Sequence, residues 1–195
     1  MRTGTAGNAW RAERGYAIKH FFDGEFADYL KPLIIISLNT GIRRDNLFSL
    51  LWGDVDFENR VITLRAEETK SSKMLRLPIN SVALGVLSAW RKQSENIAAA
   101  DLVFPSPKTE RKLDNCDSSW GKILQEAGIQ NFRWHDMRHD FASQLAMKGV
   151  PLITIKELMG HSDIKTTLIY AHLAPNIKQD AVELLTEPAS GKISA

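Results

Sequence analysis

The sequence predicts a mainly α-helical fold carrying one small antiparallel β-sheet, an α+β arrangement, and three observations predict it. Apolar residues recur at helical spacing over most of the chain, and glycines punctuate them at 41, 128, 149 and 160. The period shifts to strict alternation only near residues 55–79. The longest apolar run, Leu33 to Ile36 with Leu38 after it, is far short of the ~20 residues that span a bilayer.

Each element follows from local signals. Phe26 to Asn39 is apolar enough for a buried helix, with Gly41 as its C-cap candidate. A second helix is expected from Arg43 to Leu51, where Leu47, Leu50 and Leu51 share a face. The segment VITLRAEETKSSKMLRLPI, residues 61–79, reads as two strands around a polar turn near Thr69 to Lys73. Val61, Thr63 and Arg65 alternate there with Ile62, Leu64 and Ala66, and Leu75 and Leu77 alternate with Arg76 and Pro78. Asn80 can cap a helix running to Glu95. Residues 101–113 are Pro-rich and charged, hence loop, and residues 117–127 are helical with Gly128 as the stop.

His135 to Lys148 forms a further helix that stops at Gly149, and Pro151 or Leu152 opens another that Gly160 ends. Asp163 can cap a short helix that carries Tyr170, and Asn176 to Leu185 makes a last one. Three units result: a leader over residues 1–24, one folded domain over 25–186, and a flexible tail over 187–195.

Bulk properties exclude several classes. The chain is 44% hydrophobic and 25% charged, an ordinary balance for a globular domain and not for a disordered one. Net charge is +2, so any nucleic-acid reading must come from where the basic residues sit. Cys116 is the only cysteine, which excludes an internal disulfide and a thiolate-rich zinc site and fits a reducing compartment. The first residues, MRTGTAGNAWRAERG, lack the apolar centre of a signal peptide, and a cytoplasmic protein without a membrane segment is expected.

Four places can carry chemistry. Arg43 follows Thr40-Gly41 at a helix start, where a guanidinium fork would add to the helix's own preference for an anion; otherwise it is a solvated surface arginine. In WHDMRHDFA, His135 and Arg138 are three apart and share a helical face. They read as a phosphate site, while His135 and His139, four apart, have a zinc-ligand spacing. That spacing lacks the glutamate of HExxH and puts an arginine on the ligand face, and His139 can equally pack or cap locally.

In ELMGHSDIKTTLIYAHL, His161 follows a helix-ending glycine and Tyr170 comes nine residues later. A phenol is a poor nucleophile unless cations lie nearby, and is otherwise a core or interface aromatic; nothing assigns His172 a role. Lys70 sits in the expected hairpin turn with Lys73 and Arg76 close by. It can solvate that turn, reach into a DNA groove, or protonate a leaving oxygen.

The order TGIRR, TKSSKMLRLPI, HDMRH and LMGHSDIKTTLIYAHL resembles the tyrosine recombinases, or phage integrases, over Phe26 to Leu185. The resemblance implies the tyrosine recombinase catalytic-domain fold, and it implies that the leader over residues 1–24 is a remnant of an N-terminal DNA-binding region. It also implies a site-specific DNA recombinase that cuts and rejoins strands through a 3′-phosphotyrosine, with no cofactor and no metal. Arg43 and Arg138 match the arginines that grip the scissile phosphate. Lys70 matches the hairpin general acid, with Lys73 the neighbouring candidate. His135 matches the histidine that assists proton transfer at the nucleophile, His161 the one that hydrogen-bonds the phosphate, and Tyr170 the nucleophile.

Arg44, Lys73, Arg76 and Arg133 are further candidates for DNA contact. The implied partners are double-stranded DNA and, through the C-terminal helix with Val182, Leu184 and Leu185, neighbouring protomers of a tetramer. That helix can instead pack on its own domain. Asn46 stands where the family usually has an acidic residue three positions after the first arginine. A DNA-binding remnant without catalysis, or a type IB topoisomerase-like nicking and closing activity, are the alternatives. The expected geometry is one basic pocket holding Arg43, Lys70, His135, Arg138 and His161, with Tyr170 free to sit apart on a movable helix.

Overall fold

A computed structural model describes residues 26–65, 74–94, 97–175, 182, 183 and 185. The expected leader, tail, hairpin turn and most of the last helix lie outside the described residues, as do Lys70 and Lys73.

Helix α1 spans Leu30–Thr40. It begins four residues later than expected, and Pro32 gives the reason. Proline cannot donate to the helix ladder, so it is tolerated in the first turn and not in the interior. Phe26 stays outside the helix and buried, its amide and carbonyl both bonded to the Gln93 side chain at 2.9 Å. Gly41 ends α1 at φ 62°, its amide donating to the Ser37 carbonyl. A Cβ there would run into the Phe141 ring, so the turn needs glycine twice over.

Helix α2 is a short Arg44–Phe48 with Arg43 as its N-cap. It ends before the expected Leu51 because that leucine pairs with Leu102 in an isolated β-bridge. A 3₁₀ turn, Trp52–Asp54, leads to strand β1, Val55–Asp56. Strands β2, Val61–Leu64, and β3, Leu75–Pro78, form the expected hairpin, in the order β1-β2-β3. Ile62 faces Leu77 and Val55, and buried Ile62 and Leu64 alternate with half-buried Val61 and Thr63. The proline at 78 is tolerated because it closes an edge strand.

The Asn80 side chain accepts from the Ala83 amide at 2.9 Å and opens α3, Ser81–Lys92, as its residue type predicts. Residues 101–113 depart from the simple loop expected of them. Val103, Phe104 and Leu113 are buried there, and a bridge joins Pro105 to Lys112. Helix α4, Asp117–Ala127, ends at Gly128. Helix α5 is Asp136–Met147, α6 is Leu152–Met159 and α7 is Lys165–Leu168. The Asp163 carboxylate accepts from the Lys165 amide, but Tyr170 lies just past α7, at the head of a 3₁₀ turn over Ala171–Leu173.

Among the described residues, most buried apolar side chains fall in two clusters. The larger holds Leu33, Ile36, Leu47, Phe48, Ile62, Phe104 and Met137 among others. The smaller gathers Ala142, Ala146, Ile155, Met159 and Tyr170. Helix α5 contributes to both, with Met137 in the first and Ala142 and Ala146 in the second, and Arg138 stands at the seam. No helix among the described residues is long and apolar enough to cross a membrane.

Candidate active site

Arg138 organises the seam. Its residue is 6% exposed, and its guanidinium donates to the Gly41 carbonyl and to the Met159 carbonyl. Two nitrogens of one side chain thus tie α5 to the turn after α1 and to the end of α6. The first carbonyl lies two residues before Arg43 and the second two residues before His161. Desolvation, and next the Arg43 charge, push the Arg138 pKa down to about 9. The guanidinium therefore stays charged at neutral pH.

Arg43 is half-buried at the head of α2, and desolvation lowers its pKa too. Arg44, Arg65 and Arg133 each lean on a carboxylate: Asp117 at 3.1 Å, Asp54 at 3.5 Å and Asp136 at 3.0 Å. Arg43 and Arg138 have no such partner among the described residues. Two like charges brought together without a counter-ion favour any anion that can reach both.

The histidines complete the basic cluster. His161 is presented by the end of α6, where Gly160 at φ 58° and the His161 amide bonded to the Lys156 carbonyl close a Schellman turn. His161 Nδ1 lies 2.9 Å from the buried Thr167 hydroxyl. Its pKa is pushed down to about 4, first by desolvation, then by Arg138, Arg43, His139 and His135 in that order. His135, exposed at the N-cap of α5, is lowered by desolvation, then by His139 and Arg138. Arg43, His135, Arg138 and His161, from three separate segments, therefore share one electrostatic environment.

Lys70 lies outside the described residues. The base of its hairpin is nonetheless beside the cluster, since a Cβ on Gly160 would meet Leu75 Cδ2 at 2.6 Å.

Tyr170, which the sequence left free to sit apart, lies against the cluster. The residue is 4% exposed, packed in the smaller cluster, and its hydroxyl lies 2.6 Å from His139 Nδ1. Burial raises the phenol's pKa, and the Arg138 charge lowers it. His139 packs edge-on against His135, with ring centroids 4.9 Å apart. Sequence reasoning gave His139 no part in the phosphate site and did not single out Thr167. The signal for His139 was its place one helical turn beyond His135. Among the described residues, no three His, Cys, Asp or Glu side chains gather as a metal-ligand set.

Of the other basic candidates, Arg76 is exposed on β3 and Arg133 has an 81% exposed side chain. Arg44 is tied to Asp117. Arg43, Arg44, Arg133 and His135 line an open cleft of about 530 Å³ whose apolar walls include Trp120 and Phe132. Asn46 is buried, at 5% exposure, within α2.

The sequence profile of the phage integrase family matches residues 18–176. The integrase of Salmonella phage P22 is 33% identical over 162 residues, covering 78% of this chain and 41% of that protein. The tyrosine recombinase XerC-like protein of Caldanaerobacter subterraneus is 30% identical, covering 81% of this chain and 49% of that protein. The chain thus spans less than half the length of these curated relatives. Among solved structures, the catalytic domain of bacteriophage HP1 integrase is 27% identical with a TM-score of 0.61, covering 86% of this chain and 89% of that one. The fold is that of tyrosine recombinase catalytic domains.

Proposed function

The chain belongs to the phage integrase family, and from that premise we propose that it cuts and rejoins DNA strands at a specific site through a 3′-phosphotyrosine formed by Tyr170. One observation carries this reading: Arg138, with no carboxylate against it among the described residues, is coupled to Arg43, to His135 and His161, and to Tyr170, whose hydroxyl lies 2.6 Å from His139.

In this reading the two guanidinium groups hold the non-bridging oxygens of the scissile phosphate. They stabilise the charge that builds there as Tyr170 Oη attacks phosphorus. His161 is kept neutral by its surroundings; in the tautomer whose Nδ1 accepts from the Thr167 hydroxyl, Nε2 carries the proton and can donate to a phosphate oxygen. The bond from phosphorus to the 5′ oxygen breaks, and that oxygen takes a proton from a general acid, a role we give to Lys70. His135 assists proton transfer at the nucleophile. Each proton transfer contributes on the order of 10²–10⁴-fold. The covalent linkage conserves the bond energy, and a different 5′ hydroxyl attacking it completes strand exchange.

Double-stranded DNA is the proposed partner. Arg44, Lys73, Arg76 and Arg133 are proposed phosphate contacts outside the scissile position. A homotetramer joined through the segment 176–185 is also proposed. Val182 at 60% and Leu185 at 84% exposure support it, since apolar side chains so placed favour cover from a neighbour.

A nicked suicide duplex carrying the cognate site tests the central reading. The 195-residue chain should become covalently attached to the 3′ end, and Tyr170→Phe should abolish the adduct while retaining DNA. DNA retention with no adduct from the wild type would mark a binding remnant instead. Relaxation of supercoiled plasmid without site preference would mark a nicking and closing enzyme.

A further inference from the structure

If Tyr170 is the nucleophile, its proton needs a destination. Burial raises the phenol's pKa, so the hydroxyl rests protonated and must lose its hydrogen as it attacks. The nitrogen bonded to that hydroxyl is His139 Nδ1, at 2.6 Å, not a nitrogen of His135. In the tautomer that carries the imidazole proton on Nε2, Nδ1 accepts this bond from the phenol.

We propose that His139 is a catalytic residue, the general base that takes the Tyr170 proton during strand cleavage and returns it during rejoining. This rests on the reading of Tyr170 as nucleophile. The step balances as follows. The Oη–H bond breaks and its proton moves to Nδ1, the new Oη–P bond forms, and the P–O5′ bond breaks. The departing 5′ oxygen takes its proton from the separate general acid. Rejoining reverses every transfer, with no other reactant.

The geometry suits a direct transfer: the hydroxyl lies 2.6 Å from Nδ1, and the two rings pack with centroids 6.0 Å apart. His135, edge-on to His139 at 4.9 Å, then acts by holding that ring in place.

Single-turnover cleavage of the nicked duplex by His139→Gln and His139→Ala tests this. Glutamine can still hold the hydroxyl but cannot take its proton. Both variants should retain DNA within threefold of the wild type and form adduct about 100-fold more slowly. Added imidazole should raise the rate of His139→Ala about tenfold and leave His139→Gln unchanged. Cleavage by His139→Gln within threefold of the wild type overturns the proposal, and so does a His139→Ala rate that imidazole does not raise. Absence of an adduct from the wild type overturns the nucleophile reading and this one with it. An adduct from both wild type and His139→Gln overturns this one alone.

Discussion

Thr167 Oγ1 and His161 Nδ1 lie 2.9 Å apart, which leaves Nε2 as the ring's other hydrogen-bonding atom. Thr167 is fully buried in the stretch that leads to Tyr170, so this bond also links the histidine to the segment carrying the proposed nucleophile.

Replacing Thr167 by valine keeps the shape and removes the hydroxyl. The loss of one hydrogen bond should cost about 1 kcal/mol of folding stability, read from urea unfolding. With Nδ1 unpartnered, the imidazole divides between two tautomers, and adduct formation should fall about tenfold. A variant that melts earlier but cleaves at the wild-type rate would show that His161 needs no such anchor.

With no carboxylate against them among the described residues, the charges of Arg43 and Arg138 predict stabilisation by a simple anion in the absence of DNA. Sulfate at tenfold its dissociation constant should add about 1.4 kcal/mol. That corresponds to a rise of roughly 3–6 °C in melting temperature for a domain of this size. Sodium chloride at matched ionic strength is the control. Arg43→Ala should abolish the increment, because the anion then loses one of its two guanidinium partners, and the Arg43 side chain makes no capping bond whose loss would obscure the comparison. An equal rise in that variant would place the anion elsewhere.

How much of this was legible in the sequence depended on whether the signal was local. The caps at Gly41, Asn80, Gly128 and Gly160 read correctly because each needs only its own residue type and a few neighbours. The grouping of Arg43, His135, Arg138 and His161 came from the resemblance, and their shared electrostatics agree with it. Spacing alone left a solvated Arg43 and a metal pair open. The His139 to Tyr170 bond was invisible because it joins residues 31 apart, and neither residue announces a partner. The burial of Val103 and Phe104 was hidden for a similar reason: a stretch with no period of its own is held in by the bridge from Leu51 to Leu102. Pro32, by contrast, was a readable signal for the late start of α1.

Acid should weaken the fold through His161. Its folded pKa is pushed down to about 4 from 6.5, so between pH 6.5 and 4 the unfolded chain takes up a proton that the folded chain refuses. Stability therefore falls as pH drops through that window, and this contribution levels off below about pH 4. His135, also lowered, acts in the same direction. Urea midpoints at pH 7, 6 and 5 should decline less steeply for His161→Asn than for the wild type. Identical slopes would mean that His161 protonates as readily in the fold as in water.

Gly160 offers the sharpest separation of stability from chemistry. Its φ of 58° is left-handed, and an added Cβ would meet Leu75 Cδ2 at 2.6 Å. Alanine there should cost about 1–2 kcal/mol from backbone conformation alone. Leucine's terminal methyl can give way by a rotamer change, so the packing penalty on top should be small and the protein should still fold. The catalytic cost should be larger. Gly160 sits between the Met159 carbonyl that Arg138 holds and the His161 imidazole, so any shift of that turn moves two phosphate-binding groups at once. Misplacement on the order of 1 Å can cost about 100-fold in rate. Gly160→Ala should therefore retain a cooperative unfolding transition while its adduct formation drops by about that factor. Leu75→Ala in the same background should recover part of the stability by clearing the contact, but little of the rate, because the left-handed strain at 160 remains. Full recovery of cleavage in the double variant would show that the Leu75 contact, not the backbone of the turn, sets the position of His161.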